Sequence, residues 1–251
     1  MHYKVTGRGK AVVLLHGFIE EGSMWAPLVR SLSKTHKVLV PDLPGFGKSP
    51  LTTAELSMEW YAEQVYEMLK AEKVKTCVML GHSMGGYITL AFAEKHSDML
   101  TGFGLINSQC YADNAEKKAN RKKSIDFIKK HGTKPFVKEL YPNLFNEAYL
   151  KQNKKVVNAM IAKAEKYTPE AVTAATAAMM NREDKSAVLK NSKVPVLLLG
   201  GKDDTAAPLE AQLKQAPLPS VSHVYIFGEC KHMSLYEKKK ETFTAIKNFL
   251  S

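Results

Sequence analysis

The segment Thr76-Cys77-Val78-Met79-Leu80-Gly81-His82-Ser83-Met84-Gly85-Gly86 constrains this chain more than any other. An apolar run with the character of a buried strand ends at Leu80, and a helical pattern begins at Met84. Joining the two so abruptly needs a very tight turn, and Gly-x-Ser-x-Gly is a sequence that permits it. Side chains at 81 or 85 would collide across such a turn, which explains glycine at both positions. The serine between them is expected in a strained backbone conformation, with its hydroxyl raised above the end of the strand. Ser83 is therefore the candidate nucleophile.

The rest of the chain repeats the strand-then-helix alternation that builds a mostly parallel, doubly wound α/β sheet. Strands are expected at Ala11–Leu15, Lys37–Val40, Thr76–Leu80, Gly102–Ile106, Val194–Leu199 and Val224–Phe227. Each is a continuous apolar run of the kind buried on both faces. Helices are expected near Met24–Ser33, Ser57–Ala71, Met84–Lys95 and Ser234–Leu250. From Tyr111 to about Lys190 the alternation stops and helices alone are expected, near Asn114–Lys130, Lys134–Leu140, Glu147–Lys166 and Pro169–Asn181. Thr168 ahead of Pro169 and Glu170 is a strong helix start. The expected organisation is a core of residues 1–110 and 191–251 with a helical cap, residues 111–190, inserted between two of its strands. A chain of 251 residues, 45% hydrophobic and 24% charged, suits one large domain of this kind.

Three further sites fall at strand ends. His232, in Gly228-Glu229-Cys230-Lys231-His232-Met233-Ser234, follows one expected strand and precedes the last helix. That places it at the edge where open α/β sheets carry their sites, and it is the candidate general base. The strand before it leads into Gly200-Gly201-Lys202-Asp203-Asp204-Thr205-Ala206-Ala207-Pro208, where either aspartate could orient the imidazole. The first strand ends in His16-Gly17-Phe18. The Phe18 N–H, together with that of Met84, is the candidate donor pair for a developing oxyanion. His16 is assigned to holding this loop.

The order Ser83, Asp, His232, each at a strand end, resembles the α/β-hydrolase superfamily over residues 2–250. It is similar in particular to the group of small carboxylesterases, enol-lactonases, cofactor-free haloperoxidases and C–C-bond hydrolases. His16-Gly17-Phe18, Pro41 to Ser49, Gly81 to Gly86, Gly201-Lys202-Asp203-Asp204 with Pro208, and Gly228 to Ser234 carry the resemblance. The resemblance implies a structural corner at Asp42 and a triad of Ser83, His232 and Asp204. Asp204 is preferred over Asp203 because it lies three residues after Gly201 and four before Pro208. Serine at 83 argues against the branches with an aspartate nucleophile. Asn107 and Ser108 stand where some relatives carry the acid. The implied activity is hydrolysis of a small carboxylic ester through an acyl-enzyme. Lactone opening, C–C-bond hydrolysis, perhydrolysis and a ligand-sensing role without turnover are the alternatives. Phe18, Trp25, Met84, Tyr111, Met179 and the Ala- and Met-rich run from Ala171 to Met180 are expected to wall a mostly apolar pocket. No arginine is obviously placed for a substrate carboxylate, but the basic cap leaves the binding of one open.

A formal net charge of +11 raises the question of nucleic acid. The lysines are spread along expected helices without interleaved aromatics or a recognition motif, so a solvated surface is expected. The partner is expected to be a small-molecule ester or lactone, with neither nucleic acid nor membrane. The three cysteines form no Cys-x-x-Cys pair, and neither a metal nor an organic cofactor is expected. No run approaches the ~20 apolar residues of a membrane span, and the N-terminus lacks a signal-peptide pattern. A cytoplasmic location is expected.

Overall fold

All six apolar runs become strands of one sheet in a computed structural model, which describes residues 1–53 and 55–251. The strands are β1 (Tyr3–Thr6), β2 (Lys10–Leu15), β3 (His36–Pro41), β4 (Cys77–His82), β5 (Leu100–Ile106), β6 (Val196–Gly201) and β7 (Ser222–Phe227). Their order is β1-β3-β2-β4-β5-β6-β7. Among the described residues only β1 runs antiparallel to its neighbour, pairing Tyr3 with Pro41 and Val5 with Leu39. The other neighbours are parallel, with Val12 opposite Val38 on one side and Val78 on the other.

The helices are α1 (Ala26–Leu32), α2 (Met58–Ala71), α3 (Met84–Lys95), α4 (Ala115–His131), α5 (Thr133–Asn143), α6 (Glu147–Gln152), α7 (Lys154–Ala164), α8 (Pro169–Asn181), α9 (Ser186–Lys190), α10 (Leu209–Gln215), α11 (Ser234–Glu237) and α12 (Lys239–Leu250). Six of them, α4 to α9, lie between β5 and β6 in the chain. The Thr168 side chain accepts from the Ala171 N–H and starts α8, as its sequence suggested. Asn114 and Asn146 cap α4 and α6 in the same way.

Alternate residues of β2 serve two cores, as the period of two along a strand requires. Ala11, Val13 and Leu15 join α2 and α3 in a core that extends through Phe145, Val172 and Met179. Val12 and Leu14 face the other way, onto Trp25, Leu28 and Leu32 and onto Ala245 and Ile246 of α12. Among the described residues no helix is long and apolar enough to cross a membrane.

Several expectations are corrected. β7 is not buried on both faces: as the edge strand it leaves His223 and Val224 exposed. The stretch Glu147–Lys166 breaks at Asn153, which closes α6 and opens α7. The last helix breaks at Lys238, whose φ of −127° and ψ of 47° are not helical. The segment Met24–Ser33 begins as a 3-10 turn, Gly22–Trp25, before α1.

Candidate active site

Parallel strands all end on one side, so β2, β4, β6 and β7 deliver their following loops to a common edge. The turn after β4 holds Ser83 at φ 51° and ψ −114°, a conformation that costs a non-glycine residue about 1–3 kcal/mol. Neighbours over-determine it. The Ser83 N–H donates to the Ile106 carbonyl at 2.9 Å, and its carbonyl accepts from the Ser108 hydroxyl at 2.8 Å. A Cβ at Gly81 would land on the Gly85 carbonyl, and one at Gly85 on the carbonyls of Leu15 and His16. The two glycines are therefore a steric requirement of the turn.

The Ser83 hydroxyl lies 2.8 Å from Nε2 of His232. Nδ1 of His232 lies 2.9 and 3.0 Å from the two oxygens of Asp204. The remaining capacity of that carboxylate is filled. Its Oδ1 accepts from the N–H groups of Ala206 and Ala207, each at 2.9 Å, and its Oδ2 from the Asn107 amide at 3.1 Å. Burial works against the charge of Asp204, yet the His232 ring and these donors hold its pKa below the usual carboxylate value. Asp203 is exposed and makes no hydrogen bond to His232. Asn107, at φ 48°, also donates to the Lys231 carbonyl and accepts from the Ser234 hydroxyl, so one buried amide links the Asp204 loop to the His232 loop. The backbone N–H groups of Phe18 and Met84 have no acceptor among the described residues.

A family model described as the alpha/beta hydrolase fold matches residues 10–117. The 2-hydroxy-6-oxo-6-(2'-aminophenyl)hexa-2,4-dienoic acid hydrolase of Metapseudomonas resinovorans is 27% identical over 99% of this chain and 87% of its own. A thermophilic esterase from Thermogutta terrifontis, solved with malate bound, superimposes with a TM-score of 0.94 at 29% identity, covering 99% of this chain and 92% of its own. A pimeloyl-[acyl-carrier protein] methyl ester esterase of Aeromonas hydrophila is 39% identical over 107 residues, 42% of this chain and 41% of that protein. The chain has the α/β-hydrolase fold, and the proteins it is similar to are hydrolases and esterases.

The loop after β2 is held by a pair that the sequence did not disclose. Glu20 lies 2.9 Å from Nδ1 of His82, and the same oxygen accepts from the Gly17 N–H at 2.8 Å. Nε2 of His82 faces the carbonyl of His232 at 3.0 Å. Both ring nitrogens thus meet acceptors, which only an imidazolium can satisfy. Burial opposes both charges, but each partner overcomes it for the other: the pKa of His82 is raised and that of Glu20 lowered. Tyr141 and Tyr167 donate to the carbonyls of Ile19 and Glu20, pinning the same loop from α5 and from the residues before α8. His16 has the expected loop-holding contacts, with Nε2 accepting from the Leu43 N–H and Nδ1 donating to the Gly17 carbonyl. Asp42 accepts from the N–H groups of Gly22 and Lys48 and pairs with His2, as a structural corner.

A cavity of about 260 Å³ opens over Ser83 and His232. Phe18, Tyr87, Phe136, Leu140, Leu144 and Met233 give it apolar walls, and Met179 lines it as expected. Trp25 does not line it. The ring is fully buried against Leu28 on the opposite face of the sheet, because the 3-10 turn tucks it beneath β2. Tyr111 also stays out. Its carbonyl accepts from Arg182, and its ring lies under Lys214 on α10. The Met84 side chain belongs to the core as well. The expected lack of an arginine is corrected: Arg121 lines the cavity, with Lys117, Asn120 and Ser124 from the same face of α4. Among the described residues no group of three or more His, Cys, Asp or Glu side chains could hold a metal ion.

Proposed function

We propose that this α/β-hydrolase is a serine esterase cleaving small carboxylic esters, with Ser83 as nucleophile, His232 as general base and Asp204 as the orienting acid. The observation that carries the reading is the continuous chain of contacts Ser83–His232–Asp204, at 2.8 and 2.9 Å, mounted on a strained turn beneath a cavity. Nδ1–H of His232 donates to Asp204, which leaves Nε2 free to accept the serine proton. Oγ then attacks the ester carbonyl, and the developing oxyanion takes the N–H groups of Phe18 and Met84. His232 returns its proton to the leaving alcohol. It next activates a water that hydrolyses the acyl-enzyme and frees Ser83.

The helices between β5 and β6 act as the cap in this reading, since α4, α5 and α8 supply much of the cavity wall. The substrate is a small molecule, the site of action is the cytoplasm, and neither metal nor organic cofactor takes part. Lactone opening and C–C-bond hydrolysis would use the same parts, so the test covers all three. Purified protein and its Ser83→Ala variant are assayed against esters of graded acyl length, simple lactones and a vinylogous diketone acid. Ester turnover that the variant lacks supports the reading. Turnover confined to lactones or to C–C bonds moves the assignment to that reaction, and binding without turnover moves it to a sensor.

A further inference from the structure

We propose that Arg121 is the anchor of an anion subsite, and that the substrate cleaved at Ser83 carries a carboxylate on the arm that reaches α4. This rests on the hydrolase reading above and narrows its substrate class. The residues at 117, 121 and 124 of α4 recur every three to four positions, so they share one face of the helix. That face looks into the cavity that holds Ser83 and His232. It is polar, whereas Phe18, Phe136, Leu140, Leu144 and Met233 elsewhere in the lining are apolar, so the cavity offers its occupant two kinds of surface.

Arg121 is held by a built support. Its Nε donates to Asp113 at 2.5 Å, and Asp113 is itself buried, with 5% of its surface exposed. The other oxygen of Asp113 already meets the guanidinium of Arg182 at 2.9 Å. Arg182 is buried too, tied by the carbonyls of Met179 and Tyr111 and stacked 4.0 Å from the Tyr87 ring. Two guanidinium groups share one carboxylate, so the cluster keeps a net charge of one positive unit. Nε of Arg121 is committed, and one Nη contacts the Met179 sulfur at 3.6 Å, which orients the planar head rather than neutralising it. The remaining Nη donors are of the kind that take a carboxylate or phosphate oxygen pair.

The nearby charges do not cancel this excess. Lys117 also lines the cavity and gives one bond to the Ala206 carbonyl at 3.1 Å, with no carboxylate partner among the described residues. Glu20, the carboxylate in the cavity wall, is matched by His82. Positive groups lining the same cavity as Ser83, in a volume of about 260 Å³, fit a short chain with the scissile carbonyl at one end and a carboxylate at the other.

The test pairs charged esters with neutral ones of the same shape. The 4-nitrophenyl half-esters of succinic, glutaric and adipic acid are compared with partners whose free carboxylate is replaced by an isopropyl group. Acetyl esters of hydroxy acids, with their neutral counterparts, cover a carboxylate on the alcohol arm. Wild-type protein should favour the charged member of at least one series in kcat/KM. Arg121→Gln should lower that charged-over-neutral ratio by about ten- to a hundredfold, the range of one charge-assisted contact, mainly through KM. Lys117→Gln should lower it by a smaller factor, and tests the idea without touching Asp113. Glutarate binding to the Ser83→Ala variant, followed by calorimetry, reads the subsite without turnover and should weaken in the double variant with Arg121→Gln. A ratio unmoved by both substitutions, with equal affinity for the dicarboxylates, would overturn the proposal and leave Arg121 as a brace for Asp113. Arg121-dependent dicarboxylate binding in a protein that hydrolyses no ester would instead keep the subsite and remove the esterase reading.

Discussion

Glu20→Gln removes one charge from the ion pair behind the loop after β2, the proposed oxyanion loop, and leaves the shape almost unchanged. The amide carbonyl can still accept from the Gly17 N–H, but His82 loses its counter-charge. Glu20 is 8% exposed and His82 1%, so solvent cannot compensate. Breaking a buried pair by removing one partner costs about 3–5 kcal/mol, and the retained hydrogen bonds put this change near the lower bound. In a chain of this size one kcal/mol moves Tm by about 2–4 °C, so Tm should fall by about 6–12 °C. The pH dependence has a definite sign. The raised pKa of His82 contributes stability that is complete below its ordinary value of 6.5 and is lost as pH rises through the folded value. The lowered pKa of Glu20 contributes stability that is complete above its ordinary 4.5 and is lost as pH falls through the folded value. The gap between wild type and variant should therefore be widest from pH 4.5 to 6.5 and narrow on both sides. Scanning calorimetry of both proteins across pH measures it. Turnover should drop by about tenfold or more, short of the 10²–10³ of losing an oxyanion donor outright. A Tm difference below about 2 °C that stays flat with pH would refute the ionised pair.

Asp204→Asn should lower kcat by several orders of magnitude, about the 10⁴ seen when a triad acid becomes an amide. Asp203→Asn, at an exposed neighbour, should cost about tenfold or less; steady-state kinetics of the two folded variants checks the ranking. Met179→Ala should shift the preferred acyl length upward in an ester series while kcat for the best substrate changes little, because Met179 walls the cavity and makes no hydrogen bond to Ser83, His232 or Asp204. An unchanged length profile would remove α8 from the specificity wall.

The core strands were legible because burial on both faces leaves a run of apolar residues that nothing else in the chain imitates. β1 escaped because Lys4, Val5 and Thr6 are exposed, so this short strand shows no burial pattern. The helix α10 escaped for the opposite reason. Its buried positions include Gln212 and Gln215, which serve the carbonyls of Ala207 and Ser108, while Leu213 is exposed. A polar side chain buried for its hydrogen bonds inverts the hydrophobic period on which a helix is recognised. The same logic divides the site. Ser83, His232 and Asp204 each stand in a loop whose glycines and flanking strand mark it. Glu20 and His82 are 62 positions apart, and nothing local says that a glutamate in a surface-like loop will be buried against a histidine. Arg121 was concealed by its own helix: α4 is lysine-rich and buries only Ile128 among its residues, so the face that meets the cavity reads like the face that meets water.

Covalent labelling of Ser83 is the most direct test of the account. A small 4-nitrophenyl phosphonate ester should react once per chain, release one 4-nitrophenol, and leave its phosphonyl group on the Ser83 peptide in a digest read by mass spectrometry. Ester hydrolysis should fall in step with labelling. His232→Ala should slow the reaction, and Ser83→Ala should abolish both labelling and turnover. Attachment to a different residue, or undiminished turnover in the Ser83→Ala protein, would contradict the assignment of Ser83 as nucleophile.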